Sequence, residues 1–380
     1  MAGKTVVILG GGAGGVVAAN RLRRLLGREH RVVLVDRTVV HSFAPSFTWL
    51  MLGQRDAARI SRDLRSLSRK GIEFVPQEVT RLDPANRRVV LEDREIAYDY
   101  LIVALGAHYS IEGIPGLGCA STFYSLEGAD GLREELPKFR AGRIAIAVSG
   151  VPYKCPAAPY EGALLLDHYF RRRGLRSDIE IRVFTPEPAP LPVAGPAVGE
   201  EVVDLLRSRE VAFSPGSQLV AVDPDGKRLV FKDGSDAPFD LLIATPLHVV
   251  PSVLREAGLC GDGWVSVERE TLATPFEGVY AVGDVTAIPL ANGMMLPKAG
   301  VFAHGEAEVV ARNIAAEISG GQGHWAFGGQ GACFLETGYG KAAYATGHFF
   351  AEPEPRVELR SPGRVWHWAK LGFERLWLFR

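Results

Sequence analysis

Hydrophobic positions along the chain fall into short β-branched runs, each closed by glycine or an acid and several followed by apolar residues at helical spacing. The first, Thr5 to Leu9 in KTVVILGGGAGGVVAANRLRRLL, predicts a strand that turns through glycines into a helix. RVVLVD predicts a second strand ending at Asp36. Further apolar strands are predicted in Tyr98 to His108 (YDYLIVALGAH), Arg143 to Cys155 (RIAIAVSGVPYKC), DIEIRVFTPEP, and Gly278 to Thr286 (GVYAVGDVT). Strands alternating with helices over 380 residues predict an α/β protein of two or three domains. The last 18 residues, GRVWHWAKLGFERLWLFR, read as an amphipathic helix. At 100° per residue His367, Lys370 and Glu374 share a narrow polar sector, with Val365, Trp368, Ala369, Gly372, Leu376 and Phe379 opposite.

The first unit carries Gly10-x-Gly12-x-x-Gly15, and Asp36 lies 26 residues after Gly10. Strand, glycines, helix, strand and terminal acid in one unit are the fingerprint of a dinucleotide site. The glycines allow a tight turn and close approach of a pyrophosphate to the helix N-terminus, and Asp36 is placed to accept from a ribose hydroxyl. Two later segments, Ala-Leu-Gly ending at Gly106 and the strand ending at Gly283-Asp284, give the chain a resemblance to flavoproteins with two dinucleotide-binding domains. That resemblance implies FAD, with Asp284 contacting its ribityl and phosphate region. It also implies a discontinuous FAD-binding domain over 1–110 and 250–325, an inserted second Rossmann-like domain over 111–249, and a C-terminal region over 326–380.

Where a pyridine-nucleotide flavoenzyme would have its second Gly-rich loop, only Gly150 is present, followed by Val, Pro, Tyr, Lys and Cys. The next strand runs out at Thr185 and Pro186 with no arginine to read a 2′-phosphate. The nicotinamide reader looks dismantled, with a degenerate but working NADH loop as the alternative, and a thiol stands in its place. Cys155 follows Lys154 and precedes a helix with prolines in or before its first turn; a cation and a helix N-terminus are expected to lower its pKa and make it nucleophilic. The alternative is a small buried packing thiol. Cys333 lies in GGQGACFLETGYGKAAYATG, on a strand between glycines, while Cys119 and Cys260 have bland neighbours and read as loop or packing thiols. No cysteine pairs with another, or with histidines, at metal-ligand spacing, so no metal site is expected.

Composition narrows the classes. Lys+Arg of 43 against Asp+Glu of 44 leaves a net charge of −1, which does not suit a nucleic-acid binder. Four scattered cysteines form no disulfide framework, and no uncharged apolar run reaches the length of a membrane span. From Arg356 onward, however, six Lys/Arg face two Asp/Glu. Aromatic residues interleaved with base suit a helix lying in an anionic membrane interface; a docking or dimer helix is the alternative.

Taken in order, the FAD fingerprint, HSFAPSFTW, VPYKCPAAPYE, the Gly-Asp strand, LPKAG, GACFLETGYGKA and HWAKLGFERLWLF resemble the sulfide:quinone oxidoreductases, and the related flavoprotein subunit of flavocytochrome c sulfide dehydrogenase. The resemblance covers nearly the whole chain. It implies that Cys155 and Cys333 form the redox pair on one face of the flavin. Sulfide would attack the bridge between them, leaving a persulfide and a thiolate, and two electrons would pass to FAD and on to a membrane quinone. Glu161, in the PYE element, is the implied acid/base, with a surface helix carboxylate as the alternative. Lys298 of LPKAG would sit at the pyrimidine end of the flavin, or else be a solvated loop lysine. The segment from Arg37 to Gly53 has no cysteine for covalent attachment, so FAD is expected to be noncovalent, and Cys119 does not match the third cysteine of many relatives. The expected setting is peripheral, on the cytoplasmic side of the cell membrane. The sequence leaves the oligomeric state open, a homo-oligomer included. Rival readings are a type II NADH:quinone oxidoreductase, a sulfide dehydrogenase flavoprotein reducing a cytochrome, and a flavin-binding scaffold without turnover.

Overall fold

The computed structural model describes residues 3–261, 263–321 and 324–378. In chain order its principal elements begin with β1 (Thr5–Leu9), α1 (Ala13–Leu25), β2 (Arg31–Val35), the short helix α2 (Phe47–Met51), β3 (Glu73–Val75), β4 (Tyr100–Val103) and β5 (His108–Ser110). There follow β6 (Gly142–Val148), α3 (Ala158–Arg172), β7 (Ile179–Phe184), β8 (Val211–Ser214), β9 (Leu241–Thr245) and β10 (Leu247–Val249). The chain continues through β11 (Val279–Ala281), α4 (Gly300–Ile318), β12 (Gln330–Gly338), β13 (Lys341–His348), β14 (Arg356–Gly363) and α5 (Arg364–Leu378).

Two parallel sheets follow from the two sets of apolar strands. The first has the order β11-β4-β1-β2-β3, with Val7 opposite Val33 and Leu101. The second has the order β8-β7-β6-β9, with Ile146 opposite Val183 and Ile243. Parallel strands are covered on both faces, which is why Val6 to Leu9 and Ile144 to Val148 are apolar without alternation and buried throughout. The chain leaves the first sheet through β5 and returns through β10, and these two short strands pair antiparallel, His108 against Val249. Helices α1 and α4 pack together over the first sheet, where Leu22, Val310 and Ile314 share one core.

The third layer is the antiparallel sheet β12-β13-β14, on which α5 rests. Tyr344 of β13 stacks on Trp366 at a centroid distance of 4.6 Å, and Phe334 of β12 lies 6.5 Å from Phe373. The polar sector read in this helix exists, but it faces inward. Lys370 is 2 % exposed and Glu374 5 %, whereas Trp368 is 65 % and Leu376 70 % exposed. Phe379, the last residue of the apolar sector, lies outside the described residues. No described helix is long and apolar enough to cross a membrane.

Candidate functional site

The turn from β1 into α1 is built for a phosphate. Gly10 has φ of +102°, a conformation costly for any other residue, and its N–H donates to the Val35 carbonyl at 2.8 Å. A Cβ on Gly15 would stand 1.8 Å from the Gly10 carbonyl oxygen, so the helix can approach the turn this closely only without a side chain. A Cβ on Gly12 would meet nothing within 4 Å, and no side chain caps the helix there. The open N-terminus of α1 therefore fits a pyrophosphate. Asp36 braces the turn: one carboxylate oxygen accepts from the Gly11 N–H at 2.5 Å and the other from the Thr38 N–H at 2.7 Å. From the far side, Trp377 of α5 donates its indole N–H to His41 Nε2 at 2.9 Å. Indole only donates, so the Nδ1–H of His41 is the donor to the Gly11 carbonyl at 2.8 Å, and the C-terminal helix is tied to the Gly-rich turn through one imidazole.

Gly106, at φ +66°, and Asp284, just past the end of β11, stand at the mouths of neighbouring strands of the same sheet. Burial pushes the Asp284 carboxyl up, against the pull of Lys154 and Lys298. Lys298 is buried, not solvated: its ammonium donates to the carbonyls of Asp284 at 2.6 Å and Thr286 at 3.1 Å, and lies 3.5 Å from the Trp264 ring centroid. Burial lowers its pKa to about 8. Beside it, Glu306 accepts from the Gly283 N–H at 2.5 Å, and burial raises its pKa to about 7.

The corresponding turn from β6 into α3 has a different construction. Gly150 is its one glycine, and a Cβ there would meet only the Leu247 side chain, at 2.7 Å. Tyr153 is buried, and its hydroxyl donates to Glu187 at 2.8 Å; Thr185 also donates to that carboxylate, at 3.2 Å. The acid near the end of β7 is thus engaged by the loop itself. Cys155 then adopts φ of +50°, with its N–H donating to the Lys298 carbonyl at 2.7 Å and its own carbonyl accepting from the Ala158 N–H at 2.9 Å. The left-handed conformation costs a non-glycine residue about 1–2 kcal/mol, which the two backbone hydrogen bonds offset.

Cys155 and Cys333 lie within electrostatic reach of each other and of Glu161. Both are free thiols here. The expectation of a lowered Cys155 pKa is corrected by its setting. Burial dominates and pushes the thiol well above its ordinary value; Cys333 and Glu161 add to the rise, while Lys370 and Lys154 oppose it. Cys333 is pushed up to about 11 by burial and Glu161, with Lys370 and a backbone hydrogen bond from Phe334 pulling it down. The cations that the local sequence suggested do act in the anticipated direction, but desolvation exceeds them.

Glu161 is buried in α3, not on the surface. Its carboxylate accepts from Thr48 at 2.6 Å, from the Glu336 backbone N–H at 2.9 Å, and from Lys370 with both oxygens at 3.1 Å. Lys370 also lies 4.5 Å from the Trp49 ring centroid, and Arg55 sits 4.6 Å from the same ring. Next to this pair, Glu336 is bonded through both oxygens to Nδ1 of His367, at 2.9 and 3.0 Å. Thr48, Glu336, His367 and Lys370 were not among the site residues read from sequence. For His367 and Lys370 the signal was the polar sector of the C-terminal helix, which only a partner surface could assign to the inside; Thr48 of α2 and Glu336 of β12 lay in HSFAPSFTW and GACFLETGYGKA without a signal of their own. Among the described residues no cluster of acids, cysteines and histidines could hold a metal, while Cys119 is exposed and Cys260 packs at the edge of a core.

The profile of the family described as pyridine nucleotide-disulphide oxidoreductase matches residues 4–303. The chain belongs to that family. It is an oxidoreductase of the flavoprotein fold, and the resemblance to sulfide:quinone oxidoreductases holds along its length. It is 28 % identical to the sulfide-quinone reductase of Aquifex aeolicus over 99 % of this chain and 91 % of that one. It is 27 % identical to the mitochondrial sulfide:quinone oxidoreductase of Mus musculus over 92 % of this chain and 79 % of that one. The crystal structure of the Aquifex aeolicus sulfide:quinone oxidoreductase superposes with a TM-score of 0.89 at 26 % identity, covering 99 % of this chain and 91 % of that one. Family membership carries flavin binding with it, and the open turn at Gly10 to Gly15 fits that cofactor.

Proposed function

We propose that this chain oxidises sulfide to polysulfide or sulfane sulfur at Cys155 and Cys333 and delivers the electrons to a membrane quinone. The observation that carries the proposal is the pair of thiols within electrostatic reach of one another, with the Glu161–Lys370 ion pair beside them, by the turn where a nicotinamide dinucleotide would need glycines. Noncovalent FAD, held by Gly10, Gly12, Gly15, Asp36, Gly106, Asp284 and Lys298, supplies two-electron transfer between sulfur and quinone.

The chain's own groups account for the rest. With the two sulfurs bridged, hydrosulfide attacks one; its new S–S bond leaves a persulfide on that cysteine, and the broken bond leaves a thiolate on the other. Lys370, which lowers the pKa of both thiols, stabilises the thiolate. Glu161, which disfavours negative charge on either sulfur, takes up the proton. The quinone would enter through a cleft of about 760 Å³ lined by Val301, Ala332, Thr346, His348, Arg356 and Glu358, one residue along β12 from Cys333. The cleft opens on the same face of the β12-β13-β14 sheet as α5, since Ala332, Thr346 and Glu358 alternate in register with Phe334 and Tyr344. The outward stripe of Val365, Trp368 and Leu376 supports a peripheral seat in a membrane interface, which we assign to the cytoplasmic side.

Steady-state assay tests the proposal. Purified protein with liposomes and a short-chain quinone should reduce the quinone when sulfide is supplied, and NADH should not replace it. Quinone reduction driven by NADH with sulfide inert would overturn it in favour of a type II NADH:quinone oxidoreductase.

A further inference from the structure

Oxidation at the paired thiols raises a problem of proton traffic. Each hydrosulfide that becomes zero-valent sulfur gives up two electrons and one proton (HS⁻ → S⁰ + H⁺ + 2 e⁻). The electrons have an exit through the cofactor to the quinone. The proton starts among side chains that are closed to water: Glu161 is 6 % exposed, Lys370 2 % and Glu336 1 %. A proton confined there would leave a charge that the low-dielectric interior cannot support, and it would hold back the passage of electrons to the cofactor.

These buried groups lie in series with one end near the surface, and the Glu336 backbone N–H, donating to Glu161 at 2.9 Å, holds the two residues side by side. Lys370 contacts both oxygens of Glu161 and acts electrostatically on Glu336. Glu336 holds Nδ1 of His367 with both of its oxygens, and the His367 side chain is 21 % exposed, next to the outward stripe of α5. The groups facing His367 are Glu336 from β12 and the edge of Trp49 from α2, 6.0 Å away; Arg55 and Lys370 lie over that same indole. Glu374, one further turn along α5, is occupied by Arg55 and Ser46 and takes no part. Burial raises the Glu336 carboxyl, while Lys370 and His367 lower it.

We propose that Glu161, Lys370, Glu336 and His367 form a proton relay that carries the proton of each oxidised hydrosulfide from the thiols to the membrane-facing surface, with His367 as its outlet. This rests on the sulfide reading given above. Glu161 receives the proton from the reacting sulfur. Lys370, an ammonium with three protons, passes one to Glu336 and takes the proton of Glu161 in exchange. In the Nε2–H tautomer His367 accepts the Glu336 proton at Nδ1, the imidazolium releases the Nε2 proton to water, and exchange with solvent restores that tautomer. No group in the series ends a cycle with a changed proton count. His367 and Glu336 do not touch the sulfur; they act through Glu161. The inward turn of the α5 polar sector then has a purpose beyond packing, since the same helix that presents apolar side chains outward carries the outlet at its half-buried edge.

The test uses the full-length flavin-loaded protein in anaerobic rapid mixing with sulfide. His367→Phe should keep its flavin content and spectrum, slow sulfide-dependent flavin reduction by about tenfold, and regain most of that loss with added imidazole. The solvent deuterium isotope effect should rise as proton exit becomes limiting. Glu336→Gln, which keeps shape and a hydrogen-bond acceptor for His367, should show the same slowing without imidazole rescue, and serves if the phenylalanine variant does not fold. Unchanged rate and isotope effect in both variants would overturn the relay, as would slowing in His367→Phe that imidazole leaves untouched. If wild-type protein is not reduced by sulfide at all, it is the sulfide reading that fails, and the two outcomes are distinct.

Discussion

The molecule contains the same strand–turn–helix unit twice, once as β1–α1 and once as β6–α3, and the two differ in what fills the turn. In the first, Gly10, Gly12 and Gly15 remove side chains so that backbone can meet a phosphate, and the closest approach is helix to turn. In the second, the glycines give way to a tyrosine that closes on Glu187 and a cysteine forced into a left-handed backbone. One unit is open where it is polar; the other is closed there and carries a thiol. The same topology thus fits a cofactor in one place and, in the reaction proposed above, serves redox chemistry in the other, and the division is made by a handful of residues between a strand and a helix.

The largest effect that could break this comparison lies at the second turn. Cys155→Ser should lower sulfide-dependent flavin reduction by at least about 10⁴-fold while the flavin stays bound, because the bridge that hydrosulfide attacks can no longer form and the first unit is untouched. Absorbance during anaerobic mixing checks both halves at once. Next in size is Lys370→Met, which leaves the buried Glu161 carboxylate without its cation and should destabilise the fold by about 3–5 kcal/mol. Adding Glu161→Gln should recover much of that loss in denaturant titration, since the uncompensated charge goes with it.

A smaller effect, away from both turns, comes from Glu306 of α4. Its carboxyl is raised from 4.5 to about 7, so the native state holds this proton more tightly than the unfolded chain. The resulting stability is fully present below pH 4.5 and is lost as pH rises through 7, a change of up to about 3 kcal/mol. Glu306→Gln keeps an acceptor for the Gly283 N–H and should remove this slope from a series of melts between pH 4.5 and 7. The smallest and sharpest contrast is a matched pair of glycine substitutions. Gly15→Val pushes a side chain against the fixed Gly10 carbonyl and should weaken flavin affinity by about 100-fold. Gly150→Ala meets only the movable end of Leu247 and should leave affinity within about threefold. Equal losses at the two glycines would mean that both turns serve phosphate.

The strands and the first turn were legible because they are local. TVVIL matches β1 to the residue, RVVLVD overruns β2 only by Asp36, and the glycine spacing acts within one unit. What was not legible depends on partners far away in sequence. The pKa of Cys155 follows from burial under elements that local sequence does not name, so a cation next to it in sequence pointed in the wrong direction. The polar sector of α5 has a period but no sign: helical spacing groups His367, Lys370 and Glu374, yet only their contacts decide that the group faces inward. Those contacts span 209 residues from Lys370 to Glu161 and 319 from Glu374 to Arg55. Asp36 was legible as the acid of the fingerprint, while its bonds to Gly11 and Thr38 became visible only with the turn in place.

The central claim is that electrons reach the cofactor from sulfur and not from a nicotinamide. Its most direct measurement is a pair of anaerobic stopped-flow traces of the flavin absorbance, one with sulfide and one with NADH at equal concentration. Rapid bleaching by sulfide and none by NADH is the expected result. Bleaching by NADH with sulfide silent would contradict the account, since the second turn would then have to admit the dinucleotide that Tyr153 and Glu187 close out.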